Sequence, residues 1–505
     1  MASAHRYLAF LFSVIGARSG WADVLQHHNN SNRDGFYVDP LFTRAAARNI
    51  HRDSSFHAPL PGPMWAQPLY VSNGPSGVSA LIAATDGNDV LALESATGAT
   101  LWGVNLGTPV PQSAFDCGDI NPVGISGTPV IDIASRIIYL NSVITPDGGK
   151  TKQHFVFALS LDDGSTLPGW PVEIGPSLRY GGFSFNPGPQ NQRGGLALSG
   201  RILYVPYGGH FGDCGDYRGW LVGVPVDDPS HPTGWATDAL GGGSWAVGGV
   251  AADDTFLYAA TGNTFGANSW MGGEAIIRFT TGPLFSGDTA DFFTPSNWLQ
   301  LDIEDLDVGG AGPVLIDVPG ATPSALVVAL GKNGVAYLID RSNFGGIGTG
   351  DGIHGEGVTS ELVCSGEISG AAAAYITGSG SYVVFSATNG EGVGCPNGQS
   401  GGLVALRIGA SSPPTITVAW CADNQGRGSP IVTTSDGSSE AVVWTTGAEV
   451  SKRLHGYDGE NGELLFDGGG ETEQMTDLSP FQTPIAVNGR IFVATFNEIY
   501  AFTTQ

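Results

Sequence analysis

Two stretches hold the side chains best suited to chemistry. In GGGSWAVGGVAADDTFLYAATGNTF (241–265), Trp245 follows three glycines, and Gly262-Asn263 closes the second of two short strands. A large ring beside bare backbone suits a flat ligand lying on the indole, and the Asn offers an oxygen toward the same place. The plain alternative is a packed Trp and a turn Asn. In YGGHFGDCGDYRGW (207–220), His210 lies in a glycine-rich turn, with Asp213, Cys214, Asp216, Tyr217 and Arg218 close behind. An imidazole near carboxylates and a phenol can perform general acid–base work, for instance in a lyase or hydrolase acting on a sugar. The alternative there is a surface loop pinned by a disulfide through Cys214.

The bulk properties narrow what such sites can serve. The chain has 505 residues, 77 of them Gly and 31 Pro, with 13% charged and 41% hydrophobic residues. That balance suits many short strands and tight turns rather than disorder. A net charge of −26 repels phosphate backbones and anionic membrane surfaces, so nucleic acid is excluded as a partner. His5 and Arg6 precede an apolar run, YLAFLFSVIGA (7–17), too short to span a bilayer. With the small residues near 20–22 it reads as a secretory signal over 1–22, so the expected location is extracellular. No later stretch reads as a membrane span. Five cysteines then fall in an oxidising compartment. Cys117 with Cys214 and Cys395 with Cys421 are the expected pairs, because each lies in a polar Gly/Pro-rich loop or at a strand end; Cys364 is left over. No zinc spacing, phosphate-binding loop or Ser/His/Asp elbow stands out.

The elements that must position these side chains read almost wholly as β. Residues 23–54 form a separate N-terminal segment: 23–37 is polar and reads as loosely held, and Asp39-Pro40 before LFTRAAARNI predicts one short helix. From 55 to 505 a four-strand unit recurs, best seen in AQPLYV followed by ALIAATDGNDVLALESATGATLWGVNLG (80–107). Further copies start near 125, 193, 247, 309, 370, 428 and 481. The last has three strands, and SFHAPLPG (55–62) parallels TLWGVNLG (100–107), with Phe56 where Trp102 lies. The expectation is therefore a single all-β, eight-bladed β-propeller of four-stranded blades, its ring closed by an N-terminal strand. Seven blades is the alternative, if 364–420 is partly an insertion. Aromatics recur on the fourth strands (Trp102, Trp170, Trp235, Trp420, Phe466) and are assigned to packing between blades. A polar run, NPGPQNQRGG (186–195), precedes a first strand and is a candidate to face the central channel.

DVLALESATGATLW (89–102) resembles the PQQ-type propeller repeat, with weaker copies at 158–170 and 456–466. Two longer stretches resemble the quinoprotein alcohol dehydrogenases. On 241–265 the resemblance makes Trp245 the floor beneath a quinone and Asn263 a calcium ligand. On PVLIDVPGATPSALVVALGKNGVAYLIDRSNFGG (313–346) it makes Lys332 the cation at the quinone oxygens, where reduction places negative charge. Between them, NWLQLDIEDLDVGG (297–310) covers the region of the family's catalytic Asp, and Asp302, Asp305 and Asp307 compete for that role. PQQ and calcium are the cofactors this implies, with an alcohol or sugar as substrate.

The departures are equally specific. His210 stands where the family has a calcium-ligating Glu, and imidazole is a poor ligand for a hard cation. Asp213 or Asp216 are the possible substitutes. The adjacent-cysteine pair of these dehydrogenases is absent, as is a Cys-x-x-Cys-His haem motif. Three readings follow: a secreted quinoprotein-like oxidoreductase with a central pocket, a lyase or hydrolase using His210, and a non-catalytic ligand- or carbohydrate-binding propeller.

Overall fold

The first strands of successive sheets are Leu69–Val71, Val130–Asp132, Ala197–Ser199, Ala251–Ala252, Val314–Asp317, Ala373–Thr377, Ile431–Thr434 and Ile485–Val487. Each begins an antiparallel run of hydrogen-bonded neighbours in chain order, which makes eight blades in the computed structural model. The structure describes residues 23–505; the expected signal, 1–22, lies outside them. The 364–420 stretch supplies a full sixth blade, so the eight-bladed reading holds over the seven-bladed one.

The eighth blade is closed from the other end of the chain. Its last strand, Glu498–Thr503, pairs with His51–Arg52 and with Ala58–Pro59. Phe56, between those two pieces, packs on Phe492 with ring centroids 5.5 Å apart. The expected docking of fourth-strand indoles is present. Trp102 donates from Nε1 to the Leu161 carbonyl of the next blade at 3.0 Å, and Trp420 does the same to Gly459. Gly164 and Gly462 lie under these rings, where a Cβ would come within 2.7 Å of the indole carbons. Bare backbone at each turn is what lets consecutive sheets close on a large ring.

The N-terminal arm departs from expectation. Residues 24–39 are firmly held, threading the channel and bonding to every blade in turn. Val24 pairs with Tyr70, and the Leu25 carbonyl accepts from Ile131. The carbonyls of Ser31, Asn32, Asp34 and Gly35 accept from Ala252, Leu315, Ala374 and Val432. Phe36–Val38 adds a parallel strand to Ile431–Thr434, and Asp39 accepts from the Gly489 amide at 2.7 Å. Arg33 supplies the third blade: its guanidinium donates to the carbonyls of Leu196, Val250 and His27 at 2.7–2.8 Å. The physical reason is the inner edge of the ring. First strands leave backbone groups unpaired along the axis, and a polar arm satisfies them.

Helices also differ in detail. The predicted one is a single turn, Arg44–Ala47, capped by Thr43 rather than by the Asp39-Pro40 start. A second, Trp298–Glu304, lies in the stretch that carries the candidate aspartates, so one helix was an undercount. Both expected disulfides are formed, and Cys364 is free and buried. Among the described residues no helix is long and apolar enough to cross a membrane.

Candidate functional site

The segments that enter first strands, and those between second and third strands, gather at one mouth of the channel. There they line a cavity of about 580 Å³ that includes Arg193, His210, Asp213, Tyr217, Trp245, Asp305, Asp307, Lys332, Arg427 and Phe481. Trp245 is half-buried. Its indole N–H donates to Asp307 Oδ2 at 3.0 Å, and the Asn263 amide donates to Asp307 Oδ1 at 2.6 Å. Gly262 makes this possible, since a Cβ there would sit 2.6 Å from Asp307 Oδ1 and 3.0 Å from the indole nitrogen.

Lys332 lies between two carboxylates, with Nζ 2.8 Å from both Asp305 Oδ1 and Asp307 Oδ2. Burial alone would lower its pKa, but these two charges hold it above the usual lysine range. Asp305 follows the end of the Trp298–Glu304 helix in a left-handed conformation (φ 56°), which swings its side chain to Lys332. Asp302 goes elsewhere. It is buried on the helix, and both its oxygens accept from Thr264 at 2.6 Å. Neither Asp302 nor Asn263 lines the cavity.

The opposite wall was not read residue by residue from the sequence. Arg193 Cζ lies 5.6 Å from the Trp245 ring centroid and 5.0 Å from that of Phe481. Its Nη2 is buried without a partner, and burial lowers its pKa. Arg427 stacks on Phe481 at 5.4 Å while pairing with Glu449 at 2.8 Å. The signal for Arg193 was present in the NPGPQNQRGG run. Glu274 had none: it is fully buried and accepts from the Val308 amide at 2.7 Å, and burial together with the Asp307 charge pushes its pKa up.

His210 and Asp213 occupy a third side. The His210 ring packs at a tilt against Phe115 with centroids 4.1 Å apart, is 3% exposed, and has a buried, unpartnered Nε2. Burial lowers its pKa to about 4, so the imidazole is neutral near pH 7. Asp213 accepts from the Tyr217 hydroxyl at 2.6 Å, and burial raises the pKa of both groups. Among the described residues, no three His, Cys, Asp or Glu side chains converge as a metal-holding group.

The fold is similar to the eight-bladed propellers of solved alcohol and methanol dehydrogenases. The chain is similar to the quinohemoprotein alcohol dehydrogenase from Comamonas testosteroni, with a TM-score of 0.64 and 13% identity over 96% of this chain and 80% of that one. It is similar to alcohol dehydrogenase ADHIIG from Pseudomonas putida HK5 (TM-score 0.63, 12% identity, 96% and 80% covered). A europium-containing methanol dehydrogenase matches at TM-score 0.63 and 12% identity, covering 95% of this chain and 98% of that one. Likeness at this identity concerns the fold. No protein-family profile and no curated protein sequence matches the chain.

Proposed function

We propose that the protein is an extracytoplasmic oxidoreductase whose main cavity takes a flat, anionic quinone, such as pyrroloquinoline quinone, and oxidises an alcohol or sugar there. The observation that carries this reading is the pair of cations flanking the Trp245 ring, Lys332 at 5.2 Å and Arg193 at 5.6 Å, above an open cavity of fitting size. An indole face with cations around it suits a planar ring bearing carboxylates. Arg193 also lines the cavity, which puts its positive charge beside the indole face. The two disulfides support a location outside the reducing cytoplasm.

A bound quinone would accept the two electrons of alcohol oxidation. Lys332 would stabilise the negative charge that reduction creates. Of the three candidate aspartates, Asp302 is turned away and Asp307 has both oxygens engaged. Asp305 is 55% exposed on its side chain and binds Lys332 through Oδ1, leaving Oδ2 to accept the proton of a substrate hydroxyl. Trp245, fixed through its N–H to Asp307, would orient the flat ring.

Calcium does not fit this donor set. Asn263 and Asp213 bring no third ligand between them, and His210 offers nitrogen where oxygen is wanted. The position between Asp305 and Asp307 is taken by the Lys332 ammonium. Calcium therefore has no part in the proposal. The test is to load purified protein with pyrroloquinoline quinone in the presence of EDTA and measure dye reduction with alcohols and sugars. Turnover that falls at least about 100-fold in Asp305→Asn supports the reading, since acid–base groups contribute factors of this order. No turnover with any quinone, with or without added metal, would sink it.

A second reading has its own observation. His210 is a neutral, buried base with an unpartnered nitrogen, as a lyase or hydrolase on a sugar would need. Turnover of a sugar substrate that survives His210→Ala removes it. A propeller that only binds ligands is the outcome left if neither activity is found.

A further inference from the structure

The turn that carries Phe211 lines the main cavity, yet nothing in the reading above uses it. It starts beside the indole. The Tyr207 carbonyl accepts from the Ser244 amide at 3.1 Å, and Gly208 packs so closely that a Cβ there would lie 3.3 Å from the Trp245 Cβ. The Asp213 amide then donates to the His210 carbonyl at 2.9 Å, so Phe211 and Gly212 are the central residues of a β-turn. Gly212, at φ +95°, takes the left-handed backbone that the third position of a type II turn requires.

Both flanks of this turn are anchored. Cys214 is bonded to Cys117, and its amide donates to Cys117 Sγ at 3.2 Å. Asp213 accepts from the Tyr217 hydroxyl, and the His210 ring packs against Phe115. Burial raises the pKa of Asp213, and the charges of Asp307, Asp305 and Lys332 act on it too, which sets the turn beside the groups around the ligand site. With its neighbours fixed, the phenyl has no core to enter and is 72% exposed. Of the aromatic side chains that line the cavity it alone lies mostly in solvent: Tyr217 and Phe481 are buried and Trp245 is half-buried. The protein thus forgoes the gain of burying this ring and holds it at the mouth of a cavity.

We propose that Phe211 is the second aromatic face of the site, so that a planar ligand lies between it and Trp245. Phe211 has no polar atom, and its contribution is to select flat, conjugated anions over saturated ones of equal charge. The inference deepens the oxidoreductase reading and rests on it for the identity of the ligand. The stacking itself needs no redox chemistry.

The test is equilibrium titration of metal-free protein with three probes. These are pyrroloquinoline quinone, naphthalene dicarboxylate as a flat dianion that is not a quinone, and cyclohexane dicarboxylate as a saturated one. Both flat probes should bind the wild type and lose about tenfold in affinity in Phe211→Ala, the factor that about 1.4 kcal/mol of lost stacking produces. Phe211→Trp should restore the affinity, and its added indole emission should be quenched by the bound quinone. The saturated probe should bind more weakly and respond to neither substitution. Far-UV circular dichroism checks that each variant is folded. The assignment is overturned if the flat probes bind wild type and Phe211→Ala alike, or if Phe211→Trp does not restore binding. It is equally overturned if the saturated probe loses as much as the flat ones, or if no flat probe binds. Naphthalene dicarboxylate binding that depends on Phe211, without any quinone binding, would keep this assignment and remove the oxidoreductase reading; quinone binding indifferent to Phe211 would do the reverse.

Discussion

The two ends of the channel use polar residues in opposite ways. On the N-terminal arm, Arg33 is 1% exposed and each guanidinium nitrogen has a carbonyl partner. At the other mouth, Arg193 Nη2 has no partner, His210 Nε2 has none, and the Asp305 side chain is more than half exposed. The arm has unpartnered atoms of its own, His27 Nδ1, His28 Nε2 and the Tyr37 hydroxyl, so the contrast lies in exposure. The arm's guanidinium is sealed onto backbone, whereas the mouth lines an open cavity with charged groups. The arm ties the blades together, and the opposite mouth is the site of the proposed function.

Breaking the arm should give the largest effect. Arg33→Met strands three buried carbonyls, at a cost of about 4 kcal/mol in unfolding free energy given roughly 1–3 kcal/mol per orphaned group. Denaturant titration measures it, and a change within error would mean the arm is a passenger.

The disulfides give a smaller contrast. Removing Cys117–Cys214, which spans 97 residues, should cost about 1 kcal/mol more than removing Cys395–Cys421, which spans 26, on loop-entropy grounds. The first should also weaken ligand binding at the mouth, because it secures the loop of His210 and Asp213; the second should not.

Acid sharpens the comparison further. His28, on the arm, is held neutral by burial with its pKa lowered to about 4, against about 6.5 in the unfolded chain. A histidine depressed in the folded state contributes fully above pH 6.5, and that stability is lost as pH falls through 6.5 toward 4. His28→Gln should flatten this fall by up to about 3 kcal/mol, read as a smaller drop in melting temperature across the same window. Asp34, packed in the same arm, is raised to about 6 by burial and acts in the opposite sense, so the difference between wild type and variant is the informative quantity. The smallest effect belongs to the mouth. Asp305→Asn should change stability by about 1 kcal/mol or less, because that side of the pairing with Lys332 is exposed.

How far the sequence carried these conclusions depended on periodicity. Strand repeats, the fourth-strand indoles and the Phe56 closure all follow from local pattern, and all are present. Trp245, Asp305, Asp307, Lys332, His210 and Asp213 also share one cavity as their segments suggested. What failed was what depends on long-range partners. A polar arm reads as solvent-exposed unless the unpaired inner edges it will satisfy are known. Asp302 could not be separated from Asp305 without the helix that turns one inward and the other toward Lys332. The NPGPQNQRGG run pointed at the channel but did not single out Arg193, and Glu274 has no motif around it; their significance comes from Trp245, Phe481 and Asp307, which other segments supply.

The most direct measurement is an equilibrium titration of metal-free protein with pyrroloquinoline quinone, followed by tryptophan emission and by the quinone's absorbance. The account predicts one quinone per chain, bound in the presence of EDTA, with affinity weakened about tenfold or more in Lys332→Met and in Arg193→Met, as expected for lost charge-assisted contacts. No binding, or binding indifferent to both substitutions, would contradict it.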